Sequence, residues 1–159
     1  MPTKLLLAAC IGACLSITNI NAQKISEGSI PPEYKCPDCV LVILKKADER
    51  ATPDYNKNVE KQFKKYYTGK IEMVTAKELE TDSKYQDKNI YRFVLNDKTW
   101  NVDRRVMGAD GRSRDFTKTY ISFYLYDRLA EKGYPEILSA QSGLKTLERT
   151  AKALDERYN

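Results

Sequence analysis

Residues 40–75, VLVILKKADERATPDYNKNVEKQFKKYYTGKIEMVT, carry the clearest fold signal of this chain. The first seven of these residues, VLVILKK, are mostly β-branched or leucine, which is typical of a strand buried on both faces. In the middle, Thr52 is a good helix N-cap, Pro53 suits the first helical position, and Asp54 complements the helix dipole. KIEMVT then predicts a second strand. A strand, a helix and a strand in this order predict a β-α-β unit with parallel strands.

The helix of this unit is amphipathic. Tyr55, Val59 and Phe63 recur at helical spacing, whereas most of the lysines lie elsewhere around the helix. Gly69 is placed to end it. Just after the second strand, Thr75 and Glu78 have the spacing of a capping box, which predicts a short helix over AKELE.

The second half of the chain has strand-like alternation. NIYRFVLN (89–96) and TWNVDRRVM (99–107) predict two strands, and the turn GADGRSRD (108–115) separates them from FTKTYISFYLYDRL (116–129). A short partner strand is expected near residues 134–138. These signals predict an antiparallel meander added to the parallel unit.

The chain closes with an amphipathic helix. Ser142 can cap it, and one apolar stripe carries Leu144, Leu147, Ala151 and Leu154. We therefore predict an α/β (α+β) fold: a mixed sheet with an N-terminal β-α-β unit, an antiparallel meander and a C-terminal helix, with helices on at least one sheet face. The single domain is expected to span residues 40–159, behind an irregular leader at residues 23–39.

Residues 1–22 have the pattern of an export signal. Lys4 precedes an apolar core that is too short to span a bilayer, and Asn21-Ala22 supplies a small-residue cleavage site. LAAC (7–10) and IGAC (11–14) resemble the bacterial lipobox, so acylation at Cys14 is the alternative to cleavage after Ala22. The protein is thus expected to be periplasmic or secreted, with membrane contact only through a lipid anchor.

Charge and composition exclude several classes of function. Without residues 1–22 the chain has 137 residues and a net charge of +4, too little for a nucleic-acid binder. It has no histidine, no G-x-S-x-G motif and no phosphate-binding glycine loop. We expect no cofactor, no metal and, on balance, no catalysis.

The pair Cys36 and Cys39, in KCPDC, is the main chemical signal. A thioredoxin-like centre needs its first cysteine at a helix N-terminus, but this pair precedes a strand. A structural zinc site needs four ligands, and the other half is missing. A disulfide is the favoured interpretation in an oxidising compartment, with a dithiol–disulfide redox pair as the alternative.

Two surface clusters are candidate binding sites. Arg104, Arg105, Arg112 and Arg114 flank the GADG turn and suit an anionic group, although neighbouring aspartates can pair with them instead. Tyr120, Tyr124 and Tyr126 share one face of a strand and suit a protein or glycan contact, or else lie under a helix.

The sequence therefore predicts an exported, non-catalytic binding or assembly domain of the bacterial cell envelope, with an unknown protein or glycan partner. The alternative function is a redox protein that uses Cys36 and Cys39.

Overall fold

The sheet combines parallel and antiparallel strands. The computed structural model describes residues 25–47, 54–141 and 143–159. The strands are Val40–Leu44 (β1), Lys70–Val74 (β2), Phe93–Met107 (β3), Ser113–Asp127 (β4), Lys132–Gly133 (β5) and Leu138–Gln141 (β6), and the α-helices are Tyr55–Tyr66 (α1), Ala76–Thr81 (α2) and Leu144–Tyr158 (α3). The order across the sheet is β2-β1-β3-β4, and both β5 and β6 pair with β4. The predicted fold class is confirmed.

The first strand is the centre of this sheet. β1 runs parallel to β2 on one side and to β3 on the other. Leu41 and Ile43 belong to the main core with the helices, whereas Val42 packs with Val74 and Val94 on the opposite side. The apolar run therefore is a strand covered on both faces, as predicted.

The helix α1 begins and ends differently from the expectation. It begins at Tyr55, with Asp54 at the N-cap position; Thr52 and Pro53 lie outside the described residues. It ends at Tyr66, not at Gly69, because Tyr67 already has an extended backbone. A Cβ atom on Gly69 would lie 2.7 Å from the ring of Tyr67. Close packing by that ring, and not helix termination, requires glycine there.

The short helix α2 begins with the predicted capping box. The backbone N–H of Glu78 donates to Thr75 Oγ1 (3.2 Å), and the Thr75 N–H donates to Glu78 Oε2 (2.7 Å). A 3-10 turn, Ser83–Gln86, follows it. Tyr85 from this turn packs on Val42 and covers part of the sheet.

The predicted strands 89–96 and 99–107 are one strand, β3, which pairs with β4 without interruption from Phe93↔Asp127 to Met107↔Ser113. The apolar residues change phase along it: Phe93 and Leu95 lie on one face, Trp100 and Val102 on the other. That change resembles a strand break in the sequence. The turn is also shorter than expected, since β4 begins at Ser113.

The outer edge of β4 is paired in two pieces. β5 is antiparallel to Tyr126 and Asp127, and β6 to residues 120–123. The expected single partner strand near 134–138 is therefore wrong in position. Pro135, which has no N–H to donate, lies in the gap between the two short strands.

The helices α1 and α3 pack on each other and on one sheet face, which we call the helix face. Leu147, Ala151 and Leu154 of α3 are buried as predicted, but Leu144 is half exposed. Gly143 holds the N-cap position, and Ser142 lies outside the described residues. The opposite side, which only α2 and the 3-10 turn cover in the described chain, we call the open face.

The leader contributes to the core. Tyr34, in a 3-10 turn (Pro32–Tyr34), is buried, and its hydroxyl donates to that of Tyr67 at 3.0 Å. Its ring also packs against Phe93. Residues 1–22, with Cys14, lie outside the described residues, so export and acylation stay predictions.

A buried ion pair holds the end of β4. Arg92 Nη2 lies 2.7 Å from Asp127 Oδ2, and Asp127 Oδ1 accepts the backbone N–H groups of Leu129 and Ala130. Burial acts to raise the pKa of Asp127, but these hydrogen bonds outweigh burial, so the pKa is lowered. The ionised carboxylate therefore stabilises the fold.

Replacing Asp127 with asparagine should lower the free energy of unfolding by about 3 kcal/mol at neutral pH. Because the folded-state pKa is lowered, the carboxylate contributes fully above its ordinary pKa of about 3.9, and the contribution is lost as pH falls through the folded value. Urea denaturation of both proteins between neutral and strongly acidic pH should show the difference shrinking in acid. Asp115→Asn, at an exposed ion pair, is the control. A difference that is constant with pH would contradict this.

Phe63→Ala should lower the free energy of unfolding by about 3–5 kcal/mol, because it leaves a cavity in the core where Phe63 is fully buried. The matched control is Phe116→Ala, the same change at a half-exposed ring, expected to cost less than about 1 kcal/mol. Denaturant titration measures both. Equal losses would show that the ring of Phe116 belongs to a packed core.

Candidate functional site

Cys36 and Cys39 form a disulfide that closes a tight turn. The backbone N–H of Cys39 donates to the Cys36 carbonyl at 3.0 Å, and β1 begins at the next residue. Tyr158, near the end of α3, donates its hydroxyl to the Pro37 carbonyl at 3.2 Å. The disulfide turn is therefore anchored to the C-terminal helix.

The position of this disulfide does not favour a reactive thiolate. A reactive thiolate is favoured at a helix N-terminus or beside a cation, but Cys36 precedes a strand, and the cation next to it in sequence, Lys35, is offset by Asp38. Cys39 is buried, and its sulfur lies 3.2 Å from the Asn89 carbonyl oxygen, a contact that would disfavour a negative charge. The geometry fits a structural staple better than a redox pair.

Replacing both Cys36 and Cys39 with serine should leave the protein folded and lower the free energy of unfolding by about 2 kcal/mol or less, because so small a ring restricts few residues of the unfolded chain. Circular dichroism and urea denaturation measure this. Reduction of the wild type should give a similar loss. A reduction potential in the range of known oxidoreductases would instead favour the redox alternative.

The β3–β4 hairpin extends beyond the rest of the sheet. β1 pairs with β3 only at Val94 and Leu95, and β6 pairs with β4 only at residues 120–123. Residues 99–107 and 113–119 therefore pair almost entirely with each other, and we call residues 99–120 the arm. It is a two-stranded ribbon about 27 Å long, since residues 99–107 span eight steps of about 3.4 Å.

The tip of the arm is a tight turn. The Gly108 N–H donates to the Arg112 carbonyl at 2.8 Å, and Gly111 has φ of 72°, a left-handed conformation that suits glycine. The Asp110 carboxylate accepts the Arg112 N–H at 3.1 Å. This turn fixes the register of the arm, and hence which side chains share a face.

On one face of the arm, polar side chains form hydrogen bonds and an ion pair with each other. Asp103 accepts a hydrogen bond from the Thr117 hydroxyl at 2.7 Å, and Arg105 pairs with Asp115 at 2.9 Å. These residues alternate with the other face, since successive side chains of a strand point to opposite sides. We call this the polar face: Asn101, Asp103, Arg105, Asp115, Thr117 and Thr119, with the exposed apolar side chain of Met107 on the same side next to the turn.

The other face combines apolar side chains with cations. We call it the basic face: Trp100, Val102, Arg104, Val106, Arg114, Phe116, Lys118 and Tyr120. Trp100 stacks on Tyr120 across the strands, and Phe116 and Val106 are 49% and 48% exposed. It carries three cations and no acidic residue, although Arg114 reaches Asp110 of the turn at 3.2 Å. Exposed apolar groups beside cations that make no ion pair with a described residue, here Arg104 and Lys118, are typical of a contact surface.

The four arginines of the predicted cluster are divided by the strand alternation. Arg104 and Arg114 lie on the basic face, Arg105 lies on the polar face, and Arg112 ends the turn. Arg104 makes no ion pair with a described residue, whereas Arg105 and Arg114 pair with aspartates. The two arginines on the basic face occupy neighbouring cross-strand pairs.

The three predicted tyrosines share a face. Tyr120 belongs to the basic face, and Tyr124 and Tyr126 continue the same line onto the open face of the sheet. Tyr120 and Tyr124 are half-buried, and Tyr126 is 41% exposed. Whether this line contacts a partner stays a prediction.

Tyr126 also lines a depression on the open face, which we call the groove. Its volume is about 430 Å³. Leu44, Leu79 and Val94 supply apolar walls, and Glu80 lies exposed at the rim. Sequence reasoning missed the groove because its walls come from β1, α2, β3 and β4, which are far apart in the chain.

Sequence reasoning also missed a polar network at the base of the arm. Asp97 accepts the Tyr55 hydroxyl at 2.7 Å and the Thr99 hydroxyl at 3.1 Å, and lies 2.9 Å from Lys46 Nζ. Burial, and then Asp97, raise the pKa of Tyr55. All the groups are paired with each other, so the network joins β1, α1 and β3 and has no free reactive atom.

The described residues contain neither a metal-binding cluster nor a membrane-spanning helix. In the described ranges, histidine, cysteine and acidic side chains form no group of three or more that could hold a metal ion. Over the same residues, the helices are too short or too polar to cross a membrane.

Comparisons with known proteins give only distant likenesses. No family model and no curated protein matches the sequence. The chain is similar to a PelC dodecamer from Paraburkholderia phytofirmans, with 19% identity, a TM-score of 0.40, and coverage of 83% of this chain and 95% of that one. It is also similar to a homolog of a neuraminyllactose-binding hemagglutinin from Helicobacter pylori, with 14% identity, a TM-score of 0.34, and coverage of 80% and 82%. At these TM-scores the likeness supports no inference about the function of this chain.

Proposed function

We propose that the chain is an exported, non-catalytic binding or assembly domain of the bacterial cell envelope, and that it contacts its partner through the basic face of the arm. The observation that carries this is the difference between the two faces of one ribbon. Both faces belong to the same two strands, but the polar face joins its polar groups across the strands, whereas Arg104 and Lys118 of the basic face make no ion pair with a described residue.

Energetics support a contact role for the basic face. Burying an exposed Phe or Val side chain is favourable by about 1.5–3 kcal/mol when it leaves water completely. Phe116 and Val106 supply such surface next to Arg104, whose guanidinium can bind a carboxylate through two hydrogen bonds. Large exposed apolar side chains flanked by arginine are enriched at protein interfaces.

The export part of the proposal is supported by residues 1–22, through their single cation, apolar core and Asn21-Ala22 ending. The disulfide is compatible with an oxidising compartment. Intact mass of the protein recovered from its own envelope tests this part. A mature chain that starts at Gln23 supports cleavage, and an acylated start at Cys14 supports the lipid-anchored alternative.

The binding part is tested by changing one cross-strand pair of the arm. Arg104→Ser with Phe116→Ser should abolish retention of envelope components on the immobilised protein, because both side chains belong to the basic face. The matched control is Arg105→Ser with Asp115→Ser, the next pair along the ribbon, on the polar face. Retention measured by quantitative mass spectrometry should be kept in the control. Equal retention by wild type and both variants would reject the arm as the contact surface.

A further inference from the structure

We propose that the chain self-associates head to tail, with the basic face of one copy's arm lying in the groove of the next copy. This inference deepens the proposed function, on which it rests, by naming the partner of the basic face. Both surfaces belong to each copy, so the contact joins two different patches.

The arm needs a cover that the chain itself does not supply among its described residues. A two-stranded hairpin is marginally stable in water by itself. The arm nevertheless extends about 27 Å as such a ribbon. Three of its side chains are large, apolar and about half exposed or more: Val106, Met107 and Phe116. Two of them lie on the basic face, so this is the face that gains most from being covered.

The groove has the size and chemistry to receive these side chains. Its volume of about 430 Å³ falls within the range of about 300–1,000 Å³ that is typical of binding pockets. Leu44, Leu79 and Val94 offer apolar contact, and Tyr126 is 41% exposed at its edge. Phe116 and Val106 are apolar, as are the walls of the groove that they would contact.

Charge favours this pairing over others. Glu80 is exposed at the rim of the groove and is the acidic residue in its lining. The cation of the lining, Arg128, turns its guanidinium inward to the carbonyl oxygens of Tyr85 and Tyr91 (2.7 and 3.1 Å). An arm that carries Arg104 thus meets a carboxylate and not a competing free cation.

Charge also opposes the symmetric alternative. If two arms met basic face to basic face, Arg104, Arg114 and Lys118 of each copy would face the same three cations of the other. Like charges across an interface are unfavourable. A head-to-tail contact avoids this, and because each copy keeps one unused arm and one unused groove, it can continue into a closed ring or an open chain.

The test uses two variants of the full chain, one for each surface. Val106→Thr with Phe116→Thr removes the apolar part of the basic face and keeps β-branched residues in the strands. Glu80→Lys with Tyr126→Thr removes the rim charge and the exposed ring of the groove. Circular dichroism establishes that each variant is folded, and analytical ultracentrifugation measures self-association across a concentration series.

Wild type should form species larger than a dimer as concentration rises, and each variant alone should self-associate at least tenfold more weakly. An equimolar mixture of the two variants should form dimers and stop there, because one intact arm meets one intact groove. The polar-face control, Arg105→Ser with Asp115→Ser, should behave as wild type.

Three results would overturn the inference: a monomeric wild type at millimolar concentration, an arm variant that still oligomerises, or two folded variants that do not combine. The proposed function is tested separately by envelope retention. A monomer that still retains an envelope component through its basic face would reject self-association and keep the binding role. If the wild type oligomerises but its retention of envelope components is unchanged by the Arg104 and Phe116 replacements, the binding role of the basic face is rejected and self-association is kept.

Discussion

The strand β1 is hydrogen-bonded to a neighbour on each edge, and this double pairing organises the whole sheet. A strand that is hydrogen-bonded on both edges and covered on both faces must be apolar throughout, and Val40–Leu44 meets this requirement. Because β1 has five residues and meets β3 at only two of them, most of the fifteen-residue β3 runs past it. The arm is therefore a direct consequence of a long strand laid beside a short one, with α1 and α3 covering the body of the sheet as far as Ile121 and Phe123 of β4.

The apolar residues of β3 change from one face of the strand to the other, so its two halves have different roles. Phe93 and Leu95 face the helices and stabilise the core, whereas Trp100 and Val102 point to the opposite side, where no helix of the described chain covers them. The polar network around Asp97 lies at the change of phase. A buried carboxylate with three partners holds this point rigidly, so the arm leaves the body in a defined direction.

The polar groups of the disulfide turn and the Asp97 network differ in their surroundings from those of the proposed contact surfaces. The disulfide turn and the Asp97 network have their groups paired or buried, which favours structural roles. Arg104 and the rim residue Glu80 are instead exposed, each beside apolar surface. Charge next to apolar area gives both affinity and orientation to a contact, and this is the physical basis of the binding and assembly roles proposed for the chain.

Sequence patterns alone predicted the parallel unit, the capping box at Thr75, the C-terminal helix and the disulfide turn before β1, because each depends on local periodicity or on residues a few positions apart. It also placed the tyrosines on one face, since alternation in a strand is local. Three features became visible only in the folded chain: β3 is continuous, the four arginines are split between two faces and a turn, and Leu44, Leu79 and Tyr126 meet in a groove. These features depend on which distant segments become neighbours, and the free energy of such pairing is not encoded in any short stretch of the chain.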